Sequence, residues 1–134
     1  MLNLIVSLYM VGVIWTIQLV HYPSFLYVDT NSFKKFSDFH QLRMTILVAP
    51  AMILELSFSL WTYMQDMNAV NFVIFALSLI LWALTFIIFV PMHRQLLEDG
   101  KELKLITKMI KFNWVRTFFW SIKALSFYFY QLSI

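Results

Sequence analysis

The stretch FVIFALSLILWALTFIIFVP, residues 72–91, holds no charged side chain, and Ser78 and Thr85 are its only hydroxyl-bearing residues. At 1.5 Å of rise per helical residue, a run of this length covers the roughly 30 Å hydrocarbon layer of a bilayer. It reads as a membrane-spanning helix. Three further apolar runs of similar length flank it, at residues 4–23, 44–64 and 112–132. The composition agrees: 61% hydrophobic, 13% charged and a mean hydropathy of +0.75 lie outside the range of soluble domains. The expected fold is therefore an all-α membrane protein, a four-transmembrane-helix bundle forming one domain over residues 1–134. The first run lacks a basic leader and a small-residue cleavage site, so it is read as a retained helix rather than a signal peptide.

The charges suggest an orientation. Lys34, Lys35 and Arg43 follow the first run, and Arg94, Lys101, Lys104, Lys108, Lys111 and Arg116 follow the third, whereas residues 65–71 carry only Asp66. By the positive-inside rule the two basic connections are cytoplasmic and both termini are not. The net charge of +3 then fits attraction to anionic lipid rather than to nucleic acid. The absence of cysteine excludes a disulfide framework and thiolate ligands. Two glycines leave no basis for GxxxG-type packing, so large side chains must fill the space between helices.

The chain also resembles itself. WTIQLVHYPSF (15–25) and LTFIIFVPMHRQ (84–95) each bring a valine, a histidine and a proline together at a helix end. FHQLRMT (39–45) and FNWVRT (112–117) each give Phe, then His or Asn, then Arg three positions later, then Thr. The pattern predicts two parallel repeats of a helical hairpin, about 4–64 and 72–132, related by an axis along the membrane normal. Gly100 is expected to cap the segment HRQLLED, and Pro50 to bend the second helix and free the Ile46 carbonyl.

On the fourth helix Asn113, Arg116, Trp120, Lys123 and Phe127 share a face at steps of three and four, and the aligned face of the second is His40, Arg43, Leu47, Pro50 and Leu54. With His21 and His93 these residues predict a polar chamber near the cytoplasmic end. Arg43, Arg116 and Asn113 are candidates to hold an oxyanion, with His40 as proton acceptor. His21 and His93, each beside a proline, are candidate metal or haem ligands, with Trp120 against the cofactor, although no HExxH or CxxC motif supports a metal. Glu55 and Lys123 are buried charges. The carboxylate is expected either to be neutral and bonded to Gln18, Thr16 or Ser57, or to pair with Lys123, with the lysine nearer the cytoplasm.

VPMHRQL followed by FNWVRTFFW resembles the anthrone-oxygenase-like family of small four-helix membrane proteins. The resemblance is carried by Pro91, His93, Leu96, Asn113, Arg116 and Thr117 and covers roughly the last 45 residues. His93 departs from the asparagine expected after the proline. The family's better-described members are oxygenases acting on polycyclic aromatic anthrones; the resemblance implies oxygenase-like chemistry here, and the substrate does not carry over. Two functions follow: an oxidoreductase for a hydrophobic aromatic or quinone-like small molecule, with haem or a transition metal as candidate cofactor, or a homo-oligomeric channel or partner subunit with Glu55 and Lys123 on a polar path.

Overall fold

The computed structural model describes residues 2–132, with Gln131 described by its backbone only. Four long helices account for nearly all of it: the first is Leu2–Ser24, the second Phe33–Gln65, the third Ala69–Asp99 and the fourth Leu103–Leu132. No strand occurs among the described residues. The first and third helices each pack against the second and the fourth, so the bundle is a ring in which first faces third, and second faces fourth, across the centre.

The first three helices are long and apolar enough to cross a membrane. The fourth, at 30 residues, has the length but carries Arg116 and Lys123 in its apolar half. Burial is inverted relative to a water-soluble bundle. Ile5, Leu19, Ile46, Trp61, Phe72, Ile87, Phe118 and Phe129 are more than half exposed, while Ser7, Gln18, Glu55, Ser78, Asn113, Arg116, Thr117 and Lys123 are all buried. Water would penalise so much exposed apolar surface, whereas lipid rewards polar groups that find partners inside. The inner seam is completed by Met10, Ile14, Met52, Leu81, Phe89, Met109 and Trp120.

Pro23 and Pro91 do not end their helices. Each is preceded by a π turn, Ile17–His21 and Thr85–Phe89, in which the Tyr22 and Val90 amides donate to the Ile17 and Thr85 carbonyls five residues back. The widened turn accommodates a ring that has no N–H to give, and the first and third helices continue to Ser24 and Asp99. The extra residue also shifts the helical phase. On the first helix the buried series Ser7, Met10, Ile14, Gln18 continues to Tyr22, where an uninterrupted α-helix would have brought His21 inward.

The second helix is rolled by one residue from the face expected for it. Its buried residues are Phe33, Ser37, His40, Ala51, Met52, Glu55 and Ser59, while Arg43, Leu47, Pro50 and Leu54 point outward. The outward set and the inward runs Phe33–Ser37–His40 and Met52–Glu55–Ser59 all advance by three or four residues, and one residue is 100° of rotation, so periodicity alone does not choose between them. At Pro50 the helix is unbroken, and Tyr9 Oη donates to the Leu47 carbonyl (3.3 Å).

At the basic end, Gly100 caps the third helix with φ 92°, its amide donating to the Leu96 carbonyl at 3.2 Å. Few side-chain-bearing residues adopt this conformation, and an added Cβ would lie 3.4 Å from Lys34 Cε. Gly100→Ala should therefore destabilise the protein by about 1–3 kcal/mol, read as a lower unfolding midpoint in mixed micelles. At the opposite end the third helix starts on Asn68, whose side chain accepts from the Asn71 amide at 2.8 Å.

Candidate functional site

The fourth helix brings Arg116 into the bundle on the predicted face, at 4% exposure. Its guanidinium lies between two rings, 4.3 Å from the centroid of Phe89 and 5.1 Å from that of Trp120. Nη1 donates to Asn113 Oδ1 (3.4 Å). Nε is buried and has no partner. Among the described residues no carboxylate lies within ion-pairing distance of it. A permanently charged group thus sits in the apolar interior without an ion-pair partner among the described residues.

Asn113 anchors this arginine to the first helix. Its Nδ2 donates to Gln18 Oε1 (2.9 Å), and Gln18 Nε2 donates to the Ile110 carbonyl (3.2 Å). Beneath the arginine, Trp120 Nε1 donates to Glu55 Oε2 (2.9 Å), while Glu55 Oε1 accepts from Ser7 Oγ (2.9 Å) and pairs with Lys123 Nζ (3.1 Å). Glu55 and Lys123 therefore meet at one depth across the bundle, rather than with the lysine nearer the basic end, and the other partners of Glu55 are Ser7 and Trp120 rather than Gln18, Thr16 or Ser57.

Three histidines surround Tyr22. Its Oη lies 3.0 Å from His93 Nε2, the two rings spanning the diagonal between first and third helices. The His40 ring lies 5.5 Å from that of His93 and 4.4 Å from that of His21. His40 is buried, and the Nδ1 atoms of His40 and His93 are buried without partners. Gln41 Nε2 donates to the His93 carbonyl (2.9 Å) and to Ser37 Oγ (3.2 Å). Arg43 does not join them. It is exposed, with its guanidinium 5.2 Å above the Phe39 ring, so the two arginines of the repeated sequence have different surroundings.

These side chains border a cavity of about 340 Å³. Its inner wall is Tyr22, His40, Phe89, His93 and Arg116; its outer wall is formed by the second helix from Gln41 to Ile53 and the third from Trp82 to Val90. His21 and Asn113 lie outside this wall. The donor set does not fit a metal ion: His93 Nε2 faces Tyr22, His21 does not line the cavity, and no group of three or more histidine or carboxylate side chains is arranged as ligands among the described residues. What the arrangement offers is a fixed positive charge, two aromatic walls and imidazole and phenol groups for proton transfer.

Tyr22 and Gln41 were not anticipated from the sequence. The signal for Tyr22 is its place between His21 and Pro23, where a π turn moves it inward. The fold and site together define an all-helical protein of membrane-spanning character with an arginine-based chamber inside. No protein-family model, curated protein or solved structure matches the chain.

Proposed function

We propose that this chain is a four-span integral membrane protein whose chamber binds a flat, hydrophobic weak acid and stabilises its anion, as an oxygenase for aromatic or quinone-like substrates requires. The buried Arg116 at the cavity wall, without an ion-pair partner among the described residues, carries this reading. An isolated charge in an apolar interior costs several kcal/mol, and an anionic ligand removes that cost. Phe89 and Trp82 suit a flat ring, and the resemblance of VPMHRQL and FNWVRTFFW to the anthrone-oxygenase-like family points the same way.

In this reading His40 or the Tyr22–His93 pair takes the proton from an activated CH₂ or hydroxyl, and Arg116 holds the resulting enolate oxygen. The electron-rich enolate is then oxidised by dioxygen. Conversion of CH₂ to C=O places one oxygen atom in the product and the other in water, so four electrons leave carbon and four reduce O₂. Asn113 keeps Arg116 in register, and the Glu55–Lys123 pair supports Trp120 rather than opening a conduit, since each charge neutralises the other inside the bundle.

The same proposal includes the parallel hairpin duplication with basic connections on the cytoplasmic side. Its support is the pair of π turns, each followed one residue later by X-Pro. A second support is a matched pair in the second arms: Thr45 donates to the Gln41 carbonyl (2.7 Å) as Thr117 does to that of Asn113 (3.0 Å). This register equates Gln41, rather than His40, with Asn113, and Met44 with Arg116.

The test uses a nitronaphthol, flat and apolar, with a distinctive absorption as its anion. Bound to detergent-purified protein it should titrate about two pH units below its value in empty micelles, because an opposite charge at close range lowers an acid's pKa by roughly 1–3. Binding with an unchanged or raised titration midpoint would sink the anion reading.

A further inference from the structure

We infer that the chamber exchanges its ligand with the hydrocarbon of the bilayer, through a portal between the second and third helices, and is closed toward water at the basic end. The inference rests on the proposed anion-binding function and concerns the route to that site.

Two independent observations support it. The first is the wall between second and third helices. From Arg116 outward the cavity passes Met44 and Val48 on one side and Trp82 on the other, then reaches residues on the outer surface: Thr45 and Ile53 of the second helix, Phe86 and Val90 of the third. Phe86 and Val90 are 55% and 42% exposed, so the cavity is continuous with the outside of the bundle. Ala49 is the smallest side chain along this wall, and the π turn Thr85–Phe89 stands opposite with a wider backbone. The opening lies within the apolar surface that must face lipid.

The second observation is the plug at the basic end. Phe25 and Phe33 are fully buried and meet edge to face at 6.0 Å; Phe25 also meets Phe36 at 5.2 Å and His40 at 4.8 Å. Leu96 and Ile106, both fully buried, complete the layer. The connection between first and second helices is latched over it. Lys101 Nζ donates to the carbonyls of Leu26 (2.8 Å) and Val28 (2.6 Å), and Lys34 Nζ donates to that of Glu98. A ligand arriving from water would have to break these bonds and part four aromatic rings. One arriving from lipid passes along the wall at Ala49, its smallest side chain.

The polarity gradient matches this route. The closed end holds the positive charge and the open end is apolar, so a hydrophobic weak acid partitions into the bilayer as its neutral form and ionises only on reaching Arg116 and the histidines.

The test is stopped-flow binding of the nitronaphthol to full-length protein in nanodiscs. Ala49→Phe should slow entry and exit together, each about tenfold, while their ratio moves much less, as expected of a gate rather than a contact to the ligand. Phe86→Ala, which widens the portal, should speed both and serves if Ala49→Phe fails to fold. Lys101→Met, which removes the latch, should leave both rates within about twofold of wild type. Rates that respond to Lys101→Met and not to the Ala49 or Phe86 variants would overturn the portal in favour of a water-side route. Failure of the wild-type chain to bind the dye at all would overturn the anion-binding reading, and the portal with it. Binding with portal-independent rates overturns the portal alone.

Discussion

Arg116→Met is expected to lose the nitronaphthol anion and gain stability in the same variant. Removing a desolvated charge from its ligand costs about 2–4 kcal/mol, roughly thirty- to a thousand-fold in Kd. The unliganded protein should respond in the opposite direction. Among the described residues Arg116 has no carboxylate within ion-pairing distance and its Nε has no partner, and replacing a buried charged group by an apolar one of similar length is commonly stabilising, by about 1–4 kcal/mol. Methionine preserves much of the packing against Phe89 and Trp120 that the arginine stem and guanidinium provide. Unfolding midpoints in mixed micelles and dye titration, made on the same preparations, check both halves. A variant that loses binding because it has lost its fold would have a lower midpoint, and that outcome would reassign Arg116 to structure.

The opposite behaviour is expected of Glu55 and Lys123. Each is buried, and together they join the second and fourth helices, which face each other across the bundle. Breaking such a pair by removing one partner leaves an uncompensated charge and costs about 3–5 kcal/mol. Lys123→Met should therefore be among the most destabilising single substitutions in the chain, with Glu55→Leu close to it. The double variant should recover most of the loss, short by about 1 kcal/mol for the Trp120 N–H that no longer has its carboxylate. Strict additivity of the two single losses would contradict the ion pair. A conduit makes a different prediction: with Glu55 as a relay, Glu55→Gln would abolish ion or proton flux in proteoliposomes while leaving the midpoint little changed.

Much of this architecture was legible before any coordinates. Four predominantly apolar runs of about twenty residues marked the four helices. The face of the fourth helix was correct at every position, since Asn113, Arg116, Trp120, Lys123 and Phe127 are all buried. A polar group in an otherwise apolar helix is expensive toward lipid, so several at helical spacing fix the inward direction. The second helix lacked that constraint. Its polar residues lie at two phases, and the aligned arginine favoured the one that faces out; Arg43 finds the Phe39 ring and the surface instead. The π turns were hidden for a related reason. One inserted residue changes which of two neighbours points inward, and nothing in the residue types of Ile17–His21 or Thr85–Phe89 sets the hydrogen-bond step at five rather than four. Hence His21 was expected inside, while Tyr22 took the position. His40, expected as the proton acceptor, does lie inside, and the amide of Gln41 beside it is also used internally, on His93 and Ser37.

The central claim is that an organic anion sits beside Arg116, between the second and third helices. It is tested most directly by anomalous diffraction from crystals grown in a lipidic phase with an iodinated naphthol. The account predicts an iodine peak inside the cavity bounded by Met44, Val48, Trp82 and Phe89, with the naphthol oxygen toward the guanidinium, and no such peak in Arg116→Met crystals. Iodine found only along the outer apolar belt, or in the surface groove lined by Lys104, Lys108 and Lys111, would contradict it.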